Sequence, residues 1–271
     1  MSAALTATQT PTVSLFDIPI AAVSMDAALD LIDRAIADRR SLQIGVVNAA
    51  KIVNMGADAG LRDAVLSSDV IFADGASVVW ASRLLGAPLP ERVAGIDLMT
   101  GLLARGNTRG YRVFCLGATE EVLAETVARI RAEYPGVDVV GYHHGYYKRS
   151  EEERVAGLIA AAEPDILFVA MTSPKKEEFI ARWNDDLKVP VCHGVGGSFD
   201  VMAGKVKRAP ELWQRLGLEW LYRVKQEPGR LWKRYLVTNV QFIIMVARES
   251  FRPARPHKAD AAVAAVEIRR R

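Results

Sequence analysis

Short unbroken apolar runs alternate along the chain with longer stretches in which apolar positions recur every three or four residues. The short runs are IGVVN (44–48), DVIFAD (69–74), YRVFCLG (111–117), VDVVGY (137–142), DILFVAM (165–171) and VPVCHGV (189–195). Runs of this length, rich in β-branched residues and without strict alternation, predict strands buried on both faces, as in a parallel sheet covered by helices. Between them, 120–133 places Val122, Leu123, Val127 and Ile130 on one stripe, and 151–162 behaves in the same way, which predicts covering helices. The segments from 51 to 66 are also read as helical. A further helix at 177–187 follows Pro174, a residue suited to a helix start, and stops before the strand at 189. Six strands with intervening helices predict an α/β fold: a doubly wound, mostly parallel sheet of Rossmann-like form.

After Gly204 the pattern changes. From 211 to about 251 no strand is visible, only tryptophans and basic residues at helical spacing, so this part is read as a helical appendage. The expected organisation is a flexible N-terminus (1–13), a main domain (14–210), the appendage (211–251) and a disordered tail rich in Pro, Ala and Arg (252–271). A chain of 271 residues suits one such core with an accessory piece.

The formal charge is only +3, but basic residues crowd 205–234 and return at Arg269, Arg270 and Arg271, which points to an anionic partner. Cys115 and Cys192 both lie inside apolar runs, so a disulfide framework or a cysteine zinc site is not expected. The first twenty residues lack a basic stretch followed by an unbroken apolar core, so no secretory signal is expected and the protein should stay in the cytosol. The apolar stretch 236–247 falls short of the roughly 20 residues that span a bilayer. It can rest on a membrane without crossing it.

Ligands of open α/β sheets lie at the carboxyl ends of the strands, which selects Asn48, Asp74 and Gly75, Gly117, the segment 172–177 and the segment 194–200. Asp74 ends a buried-looking run and precedes a glycine that lets a ligand approach. Two readings of it stand open: a carboxylate facing the cleft, or a cap for a helix beginning near Ala76. HGVGGSFD (193–200) brings Gly194, Gly196 and Gly197 between a strand and a helix, where backbone N–H groups can hold phosphate or ribose, or where glycine serves packing alone. Neither a P-loop nor a dinucleotide fingerprint is present, which disfavours an oxidoreductase.

In the appendage, Arg223, Arg230, Lys233 and Arg234 could converge on a diphosphate, or simply solvate a helix. Trp213, Trp220, Tyr222 and Trp232 among them suit a membrane interface or an anionic lipid head. Nucleic acid is the weaker choice at so small a net charge. His143 and His144 are adjacent, so in a strand their rings should point to opposite faces, and no metal is expected.

An ordered series of motifs extends the reading: NAAKIV (48–53), ADG (73–75), ERVAGIDL (91–98), FCLGA (114–118), GYYKRSEEE (145–153), PDILFVAMTSPKKEEFI (164–180), GVGGSFDVMAGKVKRAP (194–210) and LEWLYRVKQEPGRLWKRY (218–235). Together, over roughly 14–251, these resemble the WecG/TagA/CpsF glycosyltransferases, glycosyltransferase family 26. The resemblance implies transfer of N-acetylmannosamine, its uronic acid or glucose from a UDP-sugar to a sugar on undecaprenyl diphosphate. It implies inversion at the anomeric carbon, no metal or other cofactor, and action at the inner face of the bacterial membrane, with self-association. Asp74 resembles the family's catalytic base, Asn48 the asparagine near the donor sugar, and Arg92 the arginine that holds phosphate or the reacting sugar. The segment 194–200, ending in Asp200, resembles the nucleotide-binding turn, with Gly75, Gly117, Pro174, Lys176 and Glu177 also expected around the donor. Arg208, Arg223, Arg230, Lys233 and Arg234 are expected on the diphosphate or the acceptor.

Four positions depart from the family pattern. Val46 stands where many members have threonine, Thr172 and Lys176 where the pattern has glycine and glutamine, and Lys233 where the last appendage arginine is usual. A lysine near the donor suits a negatively charged sugar such as a uronic acid. The departures at 46, 172 and 176 are also the only support for a catalytically silent, UDP-sugar-binding scaffold.

Overall fold

The computed structural model describes residues 10–251, apart from the side chains of Arg215, Arg230 and Arg234. A hairpin of β1 (Thr12–Leu15) and β2 (Ile18–Ala21) leads into α1 (Met25–Ala37). Then follow β3 (Leu42–Val47), α2 (Ala49–Ala57), α3 (Ala59–Leu66), β4 (Val70–Ala73), α4 (Ala76–Leu84), α5 (Gly95–Arg109), β5 (Arg112–Gly117) and α6 (Glu120–Glu133). The main domain ends with β6 (Asp138–His143), α7 (Glu152–Ala161), β7 (Ile166–Ala170), α8 (Lys175–Leu187), β8 (Val191–Gly194) and α9 (Ser198–Met202). Three helices, α10 (Glu211–Arg215), α11 (Glu219–Gln226) and α12 (Pro228–Ser250), form the appendage.

Each of the six expected strands is present, and they form one parallel sheet in the order β4-β3-β8-β7-β5-β6. All five residues of β7 are buried, which is why ILFVA is apolar at every position and shows no alternation. One face of the sheet packs on α1, α5, α6 and α9 through Ile32, Leu102, Ile130, Phe168 and Phe199. The opposite face packs on α7 and α8 through Val155, Ile159, Phe179, Leu167 and Cys192. Its other end packs on α2, α3 and α4 through Ile52, Val65, Ile71 and Val78. Both cysteines are buried free thiols.

The hairpin was not foreseen. Its turn is made by Phe16 and Asp17, whose φ angles of 56° and 58° are both left-handed, as a two-residue hairpin requires. Because β1 begins at Thr12, the expected boundary after residue 13 runs through a strand. The hairpin shares a core with α2, α3 and the last helix, and the Phe16 and Phe242 rings meet edge to face at 5.7 Å. Thus α12 is docked on the main domain. Leu231, Phe242 and Val246 face inward, while Trp232, Leu236, Val240 and Ile243, spaced by three or four residues, stay outside with 54%, 56%, 48% and 65% of their surface exposed. No described helix is long and apolar enough to cross a membrane. The expected tail (252–271) and residues 1–9 lie outside the described residues.

Candidate active site

The carboxyl ends of β3 and β4 lie side by side, because Val47 pairs with Ala73. This puts Asn48 beside Asp74 and Gly75. Asn48 caps α2, its Oδ1 accepting from Lys51 N at 3.0 Å. Gly75 keeps the space open: a Cβ there would stand 3.5 Å from Asn48 Cβ.

Asp74 does not cap the helix that follows it. The N-cap of α4 is Gly75 and has no side-chain hydrogen bond. Asp74 Oδ1 instead accepts from Gly95 N at 3.2 Å, at the first residue of α5, whose own N-cap, Ala94, has no side chain to offer. Asp74 therefore satisfies one donor of a distant helix end while its remaining oxygen stays at the strand-end cleft. Removal from water pushes its carboxyl up to about 6. Arg92, the Gly95 N–H and Arg223 act against that rise, and Glu219 adds to it.

Arg92 sits in a chain of alternating charges. It pairs with Asp97 and with Glu219 of α11, each at 3.1 Å. Asp97 also meets Arg208 at 2.5 Å, and Glu219 also meets Arg223 at 3.4 Å. Arg92, expected on phosphate or the reacting sugar, is thus held by two carboxylates, one of them carried in by the appendage. Arg208 and Arg223 join this same network. Lys233 lies exposed on α12, and the side chains of Arg230 and Arg234 lie outside the described ones.

A second cluster lies between α2 and α8. Glu177 Oε1 accepts from Lys51 Nζ at 2.7 Å and lies 3.3 Å from Lys176 Nζ, while Oε2 accepts from Ser173 Oγ at 2.9 Å. Burial would raise the Glu177 carboxyl, but Lys51 and Lys176 together hold it below its ordinary value. Burial, with Lys176 beside it, lowers Lys51 to about 8. Glu177 thus acts as the tie between two helices, and Lys176 spends its charge on it. The lysine chain runs over β8, where a Cβ on Gly194 would come within 3.1 Å of Lys176 Cε.

Gly196 takes φ +54°, which lets the chain turn from β8 into α9, and Gly197 is the N-cap of α9. The backbone carbonyl of Asp200 accepts from Lys205 and Val206, tying that turn to the segment that carries Arg208. Pro174 precedes the first turn of α8. At Gly117 the glycine has a packing reason: at φ +124° a Cβ would lie 2.3 Å from Ala170 O on the next strand. The His143 and His144 rings do not point to opposite faces. Their centroids are 4.7 Å apart, since His144 has already left β6.

Sequence reasoning missed His193. It is fully buried on β8, and its Nε2 bonds to Gly95 O at 3.0 Å. Nothing local announces that contact, which links residues 98 positions apart.

The arrangement offers a raised carboxyl at a strand end, an asparagine beside it, and cations delivered from an appended helix. The sequence pattern of the Glycosyl transferase WecG/TagA/CpsF family matches residues 13–256. The chain belongs to that family. It is 43% identical over 196 residues to an N-acetylglucosaminyldiphosphoundecaprenol N-acetyl-beta-D-mannosaminyltransferase of Bacillus spizizenii, covering 72% of this chain and 75% of that protein. It is 37% identical over 226 residues to a protein of the same description from Bacillus subtilis, covering 83% of this chain and 87% of that protein. The protein is therefore a glycosyltransferase. Within this family member, Asp74, Asn48 and Arg92 come together at one end of the sheet with Arg208 and Arg223, whereas Gly117 lies at the end of β5 beyond β8 and β7.

Proposed function

We propose that this glycosyltransferase moves an N-acetylmannosamine-type sugar from a UDP-sugar to N-acetylglucosamine on undecaprenyl diphosphate, with inversion and without a metal. The observation that carries the reading is Asp74, a strand-end carboxyl held near pH 6, ionised at neutral pH yet basic enough to accept a proton. In the reaction Asp74 takes the proton of the acceptor hydroxyl as its oxygen attacks C1 of the donor, and the bond from C1 to the diphosphate breaks with departure of UDP. Orientation of the two sugars between Asn48 and Asp74 contributes the rest of the base's advantage. The leaving diphosphate needs positive charge, which Arg223, Arg208 and Arg92 supply once the donor competes with Asp97 and Glu219 for them. The turn from Gly194 to Asp200 holds the nucleotide through backbone N–H groups.

The acceptor is supported by the descriptions of both Bacillus relatives. They also favour the neutral sugar over its uronic acid, as does Lys176, whose charge is shared with Glu177. The outward apolar side of α12 supports a place at the inner membrane surface, where a lipid-linked acceptor is found.

The test is UDP release from purified protein given UDP-N-acetylmannosamine, its uronic acid or UDP-glucose with a soluble diphosphate-lipid N-acetylglucosamine analogue. Acceptor-dependent release that is fastest with the neutral amino sugar and collapses in Asp74→Asn supports the reading. Release that persists in Asp74→Asn removes Asp74 as the base, and faster turnover of the uronic acid overturns the choice of donor.

A further inference from the structure

We propose that His193 is a positioning residue for Asp74, acting through Gly95. The inference rests on Asp74 being the base, and it starts from a buried imidazole that packing alone does not explain. His193 is central in the sheet, paired with Ile44 of β3 and Phe168 of β7, with no exposed surface. Its ring stands edge-on to Phe168 at 6.2 Å, so an apolar side chain would fill the place. Instead a histidine is present, and its Nδ1 is buried with no hydrogen-bond partner among the described residues. An orphaned buried nitrogen is unfavourable and needs an offsetting contact.

That contact is on Gly95. A carbonyl oxygen only accepts, so Nε2 carries the proton and donates to Gly95 O at 3.0 Å. The ring is neutral, because burial, with Lys176 and Lys51 nearby, pushes His193 down to about 4. Gly95 in turn donates its own N–H to Asp74 Oδ1 at 3.2 Å. One residue therefore faces the imidazole with its carbonyl and the carboxylate with its amide. Its α-carbon sits between them: a Cβ there would lie 3.7 Å from His193 Cε1 and 3.9 Å from Asp74 Oδ2.

Gly95 is also where the chain most needs such help. It is the first residue of α5, it is a glycine with the widest backbone freedom, and the preceding Ala94 provides no side-chain cap. Asp74 replaces the missing local cap by accepting from the Gly95 N–H, and His193, from another strand, holds the carbonyl of the same residue. With the Gly95 carbonyl fixed, its N–H points steadily at Asp74. Without that anchor the amide loosens, and Asp74 loses a donor that favours its ionised form. The other charges facing Asp74 are Arg92 before α5, Glu219 and Arg223 on α11, and Lys51 on α2, the last of which also lies near His193.

The experiment compares His193→Leu with His193→Gln, whose amide nitrogen reaches close to the place of Nε2. Turnover, donor KM and the acid limb of the pH profile are measured with the donor and acceptor that the wild type uses. The leucine variant should lose about tenfold in kcat with donor KM unchanged. Its acid limb should move up by about half a pH unit, because Asp74 becomes harder to ionise. The glutamine variant should recover most of that loss and bring the limb back. Equal losses in both variants, or no loss in either, would overturn the inference. Should His193→Leu fail to fold, His193→Asn, too short to reach Gly95 O, takes its place in the same comparison. Asp74→Asn separates the two failures: if it stays active the base assignment falls, and if it is inactive while His193→Leu is normal only the present inference falls.

Discussion

The sheet and the appendage solve opposite problems. In the sheet, β7 has no exposed residue and β8 buries even a histidine, so the side chains of these central strands are covered on both faces. In α11 no residue is buried, and α12 turns Trp232, Leu236, Val240 and Ile243 away from the protein. The first region holds chemistry still. The second carries charge to the site, through Glu219 and Arg223, and keeps an apolar flank exposed among the described residues. The Asp74 carboxyl is thus placed at the end of the sheet, with Arg92 and Gly95 of the main domain and Glu219 and Arg223 of the appendage around it.

Four changes break or sharpen that contrast. The largest effect belongs to the rigid side: Asp74→Asn should lower kcat by about 10²- to 10⁴-fold. The same variant should be more stable than wild type at pH 8. Folding raises the Asp74 carboxyl to about 6, so the ionised form is disfavoured in the fold above that pH. The gain should fade as pH falls from 6 toward 3, below the ordinary carboxyl value of 3.8, where the group is protonated folded or unfolded; thermal melts at pH 8 and pH 3 check it.

Next comes the joint between the regions. Phe242→Ala, which empties the contact with Phe16 and the hairpin core, should cost about 3 kcal/mol in urea denaturation. A transition that splits in two would show that the appendage can leave while the sheet stays folded. A smaller effect is the pH limb itself. Between pH 6 and pH 5 turnover of the wild type should fall by about fivefold as Asp74 takes up its proton, as measured with a fixed donor and acceptor. The smallest effect on the fold comes from the outer flank. Leu236→Glu with Ile243→Glu should change stability by no more than about 0.5 kcal/mol, since neither side chain is buried. The pair should nevertheless abolish flotation with anionic phospholipid vesicles. Retained flotation would reject the outer flank as a membrane contact.

The sequence displays these two regions unequally. Strands buried on both faces announce themselves as unbroken apolar runs, so all six were legible to within a residue or two, and Asp74 followed from its place at the end of one. The N-terminal hairpin was not legible, because its strands are four residues long and its turn uses Phe16 and Asp17 in place of the usual asparagine and glycine. Asp58 ends α2 and caps α3 with Oδ1 on Leu61 N, a break hidden inside one long apolar pattern. The partners of Asp74 and Arg92 were illegible for a different reason. Gly95 and His193, or Arg92 and Glu219, become neighbours only when distant elements pack, and no local spacing encodes that.

The meeting of Phe16 with Phe242 joins a residue near the start of the described chain to one near its end. During synthesis the hairpin emerges early and must wait, its apolar side uncovered, until α12 has left the ribosome. A nascent chain that has reached residue 210 already contains every strand of the sheet, yet it has no cations from α11 and no outward flank from α12. On the proposed function, the contribution of Arg223 to the leaving diphosphate and the lipid contact of α12 would therefore be added together, after Arg92, Arg208 and the whole sheet have been made.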